Sequence, residues 1–198
     1  VESAQSLMAR EIALTADGGR VEILGQLDAS GNEGGSIALN AAQGIQLAAE
    51  ATLLARAKGQ EGQGGHIFLN TLEGGISILS GARMDVSDAG GDSGTIHLRA
   101  PRQNDDVKVT PIDAGSVVGT SKVMVEAVAR YDANTLDAAL IERIGRETAD
   151  YMAKTRNQFA GKFGAAFELA PGVEVRSSAD LTLNSAWNLV DWRYGDSA

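Results

Sequence analysis

Apolar and polar residues alternate in three short stretches of the chain that are nearly identical. The stretches are GGSIALN at 34–40, GGHIFLN at 64–70 and GTIHLRA at 94–100. When they are aligned, two apolar columns appear, made of Ile37, Ile67 and Ile96, and of Leu39, Leu69 and Leu98. An apolar residue at every second position is typical of a β-strand with one buried face. The pattern therefore predicts three equivalent strands, 30 and then 29 residues apart, with both columns turned to a core.

Two further short strands are predicted in each repeat. The second strand is predicted in GIQLA from Gly44, GISIL from Gly75 and DVKVT from Asp106. Its inward side chains are expected to be Ile45, Ile76 and Val107, followed by Leu47, Ile78 and Val109. The third strand is predicted in ATLLARA and GARMDVS. An earlier unit at 10–31 fits the same plan, with inward Ile12, Leu14, Val21, Ile23 and Leu27.

The spacing of these units predicts the architecture. Glycine-rich segments such as DASGNEGG and RAKGQEGQGG separate them, and glycine supplies the positive φ angles that turns require. Self-similarity at this period indicates a solenoid or a propeller, and a propeller blade needs four antiparallel strands over about 40 residues. Three short strands without an intervening helix favour an all-β parallel β-helix with coils of about 29 residues. Each coil would then stack its apolar side chains on those of the previous coil.

One segment interrupts this pattern. From Asn134 to about Phe163 the glycine turns give way to helix-forming residues. We expect a cap at Asn134 or Thr135 and an apolar face of Leu136, Leu140 and Ile144, which continues after a break near Gly145 with Tyr151, Met152 and Phe159. The segment is either a helix that packs on the side of the β-helix or a recognition element displayed for a partner. Alternation then returns at Val173 and Val175, and at Leu181 and Leu183. The predicted organisation is β-helix coils over 1–132, a helical insertion over 133–165, and further coils over 166–198, which we expect to be truncated at the C-terminus.

The composition of the chain argues against several classes of partner and site. The chain has 198 residues, a formal net charge of −9 and no cysteine. The charge argues against nucleic acid as a partner, because phosphates would be repelled. The absence of cysteine excludes disulfides and thiolate metal sites. No window approaches 18 apolar residues, so no membrane span is expected, and we interpret the chain as an internal piece of a longer one.

The sequence shows no arrangement of residues that is typical of a catalytic site. The outward positions of the first strand are Ser36, Ala38, Asn40, His66, Phe68, Asn70, Thr95, His97 and Arg99, without a carboxylate. Glycoside hydrolysis needs two acids about 5–9.5 Å apart. We therefore expect no catalytic, cofactor-binding or metal-binding residues.

Three smaller groups also have structural interpretations. Asp28, Arg56 and Asp85 are expected to form a charge ladder on the third strands. His66 and His97 lie on one face, but Zn²⁺ needs at least three protein ligands and a third is not evident. The third group is an aromatic cluster near the end of the chain. It is either a ligand contact that stacks on a sugar ring or a wall on which the helical insertion docks. Its members are Trp187, Trp192 and Tyr194.

Several segments resemble one family of proteins. GQLDASGNEGGSIALNA, GARMDVSDAGGDSGTIHLRAP and ELAPGVEVRSSADLTLNSAWNLVDWRYG are similar to the filamentous haemagglutinin family of bacterial exoproteins. The resemblance implies a right-handed β-helix, two-partner secretion through an outer-membrane partner, and a place at the bacterial cell surface or outside the cell. The amino-terminal secretion domain of that family is not recognisable in this chain.

The expected function is that of a non-catalytic structural or adhesive segment that supports attachment to host cells. Its partner would be a host-cell surface glycan or protein, and the segment itself is expected to be monomeric. Two alternatives remain open. One is a β-helical carbohydrate-active enzyme domain, and the other is a carrier shaft in a scavenging or toxin-delivery exoprotein.

Overall fold

The computed structural model describes residues 5–59, 61–89 and 94–187. These residues form short β-strands and one long helix. In chain order the strands are β1 (Ser6–Met8), β2 (Glu11–Ala16), β3 (Arg20–Ile23), β4 (Gln26–Asp28), β5 (Ser36–Ala41), β6 (Gly44–Leu47), β7 (Thr52–Leu54), β8 (His66–Thr71), β9 (Ile76–Ile78), β10 (Arg83–Asp85), β11 (Thr95–Gln103), β12 (Asp106–Val107), β13 (Val117–Val118), β14 (Val123–Asp132), β15 (Thr135–Leu136), β16 (Phe167–Arg176) and β17 (Thr182–Leu183). Helix α1 is Ala138–Phe163, and a 3-10 turn at Ala114–Ser116 precedes β13.

Successive strands are distributed in rotation among three parallel sheets. The first sheet has the order β1-β4-β7-β10-β13, the long sheet β2-β5-β8-β11-β14-β16, and the third sheet β3-β6-β9. Strand β12 pairs antiparallel with β11, and β15 pairs with β17 in a separate two-stranded sheet. The fold is therefore mostly parallel β-sheet with one helix. This agrees with the parallel strands and the helical insertion that the sequence predicts.

The register of the long sheet confirms the apolar columns that the sequence predicts. Ile37 pairs with Ile67, and Ile67 pairs with Ile96. The leucine column has the same register, and all six side chains are buried. Parallel strands lie about 4.8 Å apart, so each side chain packs on its equivalent in the next repeat. The repeat in the sequence is thus a repeat of the same two buried positions.

The register of the third sheet corrects one prediction. Ile76 pairs with Val109, and not with Val107. The reason is a local hairpin: β12 folds back on β11, and the Lys108 amide donates to the carbonyl of Pro101. This hairpin occupies the two residues that the sequence pattern assigns to the parallel strand. Val107 is nevertheless buried, so its apolar character does not distinguish the two registers.

Helix α1 starts later than the sequence predicts. Its cap is Asp137, whose side chain accepts a hydrogen bond from the Leu140 amide at 2.8 Å. Thr135 and Leu136, which the prediction placed at the cap and on the helical face, instead form β15. The helix then continues through Gly145 to Phe163 without a break. One stripe of the helix is buried and consists of Leu140, Ile144, Thr148, Tyr151, Thr155, Phe159 and Phe163.

The buried stripe docks α1 on the sheets. Tyr151, Phe159 and Phe163 belong to the main core, and the Phe163 ring lies 5.6 Å from that of Phe167 at the start of β16. Leu140 and Ile144 join a second cluster around Tyr131 of β14. This confirms that the apolar face packs on the rest of the molecule. The opposite face of the helix is exposed.

Polar contacts fix the position of α1 on the β11–β12 hairpin. The Arg102 guanidinium lies 4.2 Å from the centre of the Tyr151 ring and donates to Thr148 Oγ1 and to the carbonyl of Ala127. Thr155 and Gln158 both donate to the carbonyl of Asp105. Burial lowers the pKa of Arg102 and raises that of Tyr151 to about 12. The helix therefore covers a cation that the stacked aromatic ring partly compensates.

Strand β16 returns to the long sheet after the helix. It pairs with β14 over all ten of its residues, and Val173 and Val175 pack against the second cluster as expected. Leu181 and Leu183 do not face a core, because they are 47% and 61% exposed. The prediction for these two leucines is wrong: β17 lies in the separate pair with β15, where no sheet covers it among the described residues.

Candidate functional site

The outward face of the long sheet carries a charged network on its last three strands. The register places Arg99 of β11 opposite Glu126 of β14, and Arg130 of β14 opposite Glu174 of β16. Together with two asparagines of β5 and β8 we call this group the outer network; it consists of Asn40, Asn70, His97, Arg99, Glu126, Arg130, Glu174 and Arg176. Its charged members other than the exposed Arg176 are half-buried, although they lie on the side of the sheet away from the core.

Glu126 lies between two cationic or ionisable partners. One carboxylate oxygen is 2.9 Å from Nε2 of His97, and the other is 3.5 Å from Nε of Arg99. Gly172 of β16 makes room for this carboxylate, since a Cβ atom at that position would overlap it. The side chain is only 12% exposed. The imidazole and guanidinium contacts explain why the sheet can hold a carboxylate with so little solvent contact.

Glu174 contacts three arginines. Its carboxylate is 2.9 Å from Nε of Arg176, 3.5 Å from Nε of Arg130 and 3.5 Å from Nη2 of Arg99. Burial raises the pKa of this carboxyl group, but the Arg176 hydrogen bond and the three positive charges outweigh burial, so the pKa falls below its ordinary value. Glu174 is therefore ionised at neutral pH and does not retain a proton to donate.

Amide side chains extend the outer network to earlier repeats. Arg99 donates to Asn70 Oδ1 at 3.1 Å, and the Asn70 amide donates to Asn40 Oδ1 at 3.0 Å. The rings of His97 and Phe68 lie 5.1 Å apart on the same face. One chain of contacts therefore runs across the strands from β5 to β16.

The geometry of the outer network suits fixing strand register better than acid catalysis. Arg99 contacts carboxylates of both β14 and β16, which are separated in the sequence by the whole helical segment. A general acid needs a raised pKa, whereas the pKa of Glu174 is lowered. The outer network thus links β16, which follows the helical segment, to β11 and β14, which precede it.

Sequence reasoning missed the carboxylates of the outer network. The outward positions of the three aligned stretches end at Arg99, so the later strands were left out. The alternation in VMVEAVARYD at 123–132 and FELAPGVEVR at 167–176 carries the missing signal, because Val123 and Phe167 continue the isoleucine column. Aligning these segments would have placed Glu126 and Glu174 on the outward face.

The predicted charge ladder of the third strands is wrong. Leu54 lies between Asp28 and Asp85 in the register, and Arg56 lies two residues beyond it. Each aspartate instead closes a corner after its strand: Asp28 accepts from the Ser30 amide and Asp85 from the Ser87 amide. Burial raises the pKa of both carboxyl groups, but hydrogen bonds from these serines and neighbouring positive charges outweigh burial. The pKa of each aspartate therefore falls below its ordinary value. Both aspartates are buried, so they stabilise turns.

The two histidines have separate neighbours. His66 Nδ1 lies 2.6 Å from Thr95 Oγ1, on the strand next to it. His97 is held between Glu126 and the Phe68 ring. The register offsets them by two positions, as the sequence predicts.

The predicted aromatic cluster falls only partly within the described residues. Trp187 is partly buried and packs against the second cluster, beside Tyr131, Leu140 and Ile144. This position agrees with the wall against which the helix docks. Trp192 and Tyr194 lie outside the described residues. The ligand contact at this cluster stays a prediction.

Comparisons with protein-family models, curated proteins and solved structures found no match. In the described part of the chain, no helix has the length and apolar character needed to cross a membrane.

Proposed function

We propose that this chain is a segment of a right-handed parallel β-helix within a large secreted bacterial exoprotein similar to the filamentous haemagglutinins. In this proposal the segment is non-catalytic, and it supports or mediates attachment to host cells. The observation that carries the proposal is the distribution of strands in rotation among three parallel sheets. In such an arrangement each repeat adds one strand to every sheet, and the chain grows along a single axis.

The mechanism would be geometric. Stacked isoleucine and leucine columns bury one another, and parallel hydrogen bonds join each repeat to the next. Such a stack holds a binding surface at a fixed distance from the cell. The outer network would preserve this register across the helical excursion.

Secretion through an outer-membrane partner is part of the proposal. A chain that crosses a membrane unfolded is hindered by disulfides, and this chain has no cysteine. Folding outside the cell would then depend on apolar columns, backbone hydrogen bonds and ionic contacts, without disulfides. Localisation at the cell surface or outside the cell follows from this route.

A carbohydrate-active enzyme is the second candidate, because Glu126 and Glu174 are two carboxylates on one outward face. Both contact the same guanidinium, that of Arg99. The lowered pKa of Glu174 and its three arginine contacts favour a structural role. A hydrolysis or lyase assay on a polysaccharide panel tests this candidate, and activity that is lost in Glu126→Gln would establish it.

Binding of the segment to host cells and to a glycan array tests the adhesive function. Deleting residues 134–163 is unsuitable as a control, because Phe159 and Phe163 belong to the core and their loss would unfold the protein. We therefore test two variants. One is the double change Arg146→Ala and Lys154→Ala on the exposed face of α1, called the helix variant, and the other is the single change Trp187→Ala.

The outcomes separate the roles. Binding that is lost in the helix variant or in Trp187→Ala, with folding retained, identifies an adhesive module and its surface. Absence of binding by the folded segment contradicts the adhesive role. It would favour a passive shaft, as in a scavenging or toxin-delivery exoprotein.

A further inference from the structure

A groove of about 480 Å³ lies on the outward face of the third sheet. Its floor follows one position through four successive repeats, occupied in turn by Arg20, Gly44, Gly75 and Lys108. Arg20 pairs with Gly44. The glycines immediately precede the paired Ile45 and Ile76, and Lys108 immediately precedes Val109, the bridge partner of Ile76. Two positions without side chains therefore lie between two cations.

The empty floor is a property of the backbone. Gly44 has a φ of +131°, which residues with side chains rarely adopt. A Cβ atom at Gly75 would lie 2.8 Å from the carbonyl oxygen of Lys108, the residue next to it in the stack. Side chains at these two positions would strain the stack, so the depression is built into the register of the sheet.

The groove is positive although the chain is acidic. Its charged lining residues are Arg20, Lys108, Lys162 and Asp106, whereas the whole chain has a net charge of −9. Two further acids are held by amide groups, since Gln46 donates to Glu22 and Gln43 donates to Glu73. These two acids are not among the lining residues.

The two ends of the groove differ in how their cations are engaged. At one end Lys108 donates to the carbonyl of Glu73, and Lys162 pairs with Asp106 at 2.8 Å. At the other end the guanidinium of Arg20 has neither a hydrogen bond nor an ion pair with the described residues. An arginine fork that is free to turn into the groove can bind a carboxylate through two parallel hydrogen bonds.

Apart from these charged residues, the lining combines apolar residues with uncharged polar ones. Gln46, Ser77 and Thr110 occupy equivalent positions on neighbouring strands, and Gln103 also lines the groove. Amides and hydroxyls can both donate and accept, so they suit the hydroxyl groups of a sugar. Arg20 and Lys108 are three strand steps apart, a distance of about 14 Å. The groove therefore accommodates a ligand that extends along the stacking axis.

We propose that this groove binds a linear oligosaccharide that carries carboxylate groups. Arg20 and Lys108 would each contact a carboxylate, and the amides and hydroxyls between them would contact the sugar hydroxyls. The proposal rests on the proposed adhesive function and gives it a ligand class.

Calorimetric titration of the segment with an oligogalacturonate tests the site. The fully methyl-esterified oligomer has the same sugar chain without the charges and is the matched ligand control. Arg20→Gln and Lys108→Gln each remove one groove cation. Arg10→Gln removes an exposed cation that pairs with Glu33 outside the groove, and it is the matched protein control. Urea unfolding checks that every variant is folded.

We expect the acidic oligomer to bind and the esterified one to bind at least tenfold more weakly. We expect each groove variant to lose about tenfold in affinity, since a charge-assisted hydrogen bond has about this effect. Arg10→Gln should bind as the parent does. Equal losses in Arg10→Gln and Arg20→Gln would indicate general charge attraction and would overturn the site. Equal binding of both oligomers, or of neither, would overturn it too.

Host-cell attachment of the same variants separates the two proposals. Cells that bind the parent and the groove variants equally would leave the adhesive function intact and reject this groove as its site. Selective binding of the acidic oligomer without attachment to cells would support the groove and reject the adhesive function.

Discussion

Arg99 of β11 contacts Glu126 of β14 and Glu174 of β16, with its Nε and Nη2 atoms each 3.5 Å from a carboxylate oxygen. One guanidinium therefore joins three neighbouring strands. Between β14 and β16 the chain leaves the long sheet to form β15 and the 26-residue helix α1. The ionic contacts of Glu174 therefore help to fix the register of β16, in addition to its backbone pairing with β14.

Removing the Glu174 charge should destabilise the protein. Glu174→Gln keeps the shape but leaves Arg130 without its nearest negative charge, and buried nitrogens of Arg130 have no hydrogen-bond partner among the described residues. We expect the free energy of unfolding in urea to fall by about 2 kcal/mol. The matched control is Glu168→Gln on the same strand, where the exposed pair with Lys122 should contribute less than about 0.5 kcal/mol. Equal losses in the two variants would contradict the role of the outer network.

Stability should decline in acid, and part of the decline should depend on Glu174. The pKa of Glu174 is lowered in the folded state, so the unfolded chain takes up a proton first as the pH falls. The contribution is present above the ordinary pKa of 4.5 and is lost as the pH falls through the lowered value. Urea unfolding at a series of pH values below about 5 should give a shallower slope for Glu174→Gln than for the parent. Parallel curves would exclude this cause.

Stability should also decline in strong alkali. Burial raises the pKa of both Tyr131 and Tyr151 from 10.0 to about 12, and Tyr131 also donates to Glu147. The unfolded chain therefore loses these protons first, so their contribution is complete below pH 10 and is lost as the pH rises towards 12. Absorbance titration should show two tyrosines that ionise only near unfolding. Tyr151→Phe should remove one of them, and ionisation of all tyrosines at the ordinary value would contradict the burial.

Two glycines should respond in opposite directions to alanine. A Cβ atom at Gly65 would overlap the carbonyl oxygens of Gly35 and Ala55, which belong to the stacked repeats. We expect Gly65→Ala to cost about 3 kcal/mol in unfolding free energy. Gly145 lies within α1 with open space at its Cβ position, so Gly145→Ala should stabilise the protein by about 1 kcal/mol. Thermal unfolding measures both, and a neutral Gly65→Ala would show that the repeats are less closely stacked.

The sequence by itself determined the repeated positions. A period of two and a repeat near 30 residues place Ile37, Ile67 and Ile96 in register, because at a buried position of a parallel stack each apolar side chain packs on the same side chain of the next repeat. The helical face of Leu140, Ile144, Tyr151 and Phe159 follows from the same reasoning at a helical period. These features are local patterns that the fold repeats.

Only the tertiary structure decided which strands meet where the repeat is broken. The β11–β12 hairpin shifts the third-sheet register to Val109, and the pair of β15 with β17 leaves Leu183 exposed. The contacts of Arg99 with Glu126 and Glu174 depend on β16 returning beside β14 after the helix. The local alternation can place Glu126 and Glu174 on the outward face, but it does not say which strands become neighbours, because that depends on how much buried surface and how many paired charges each competing register offers across the whole chain.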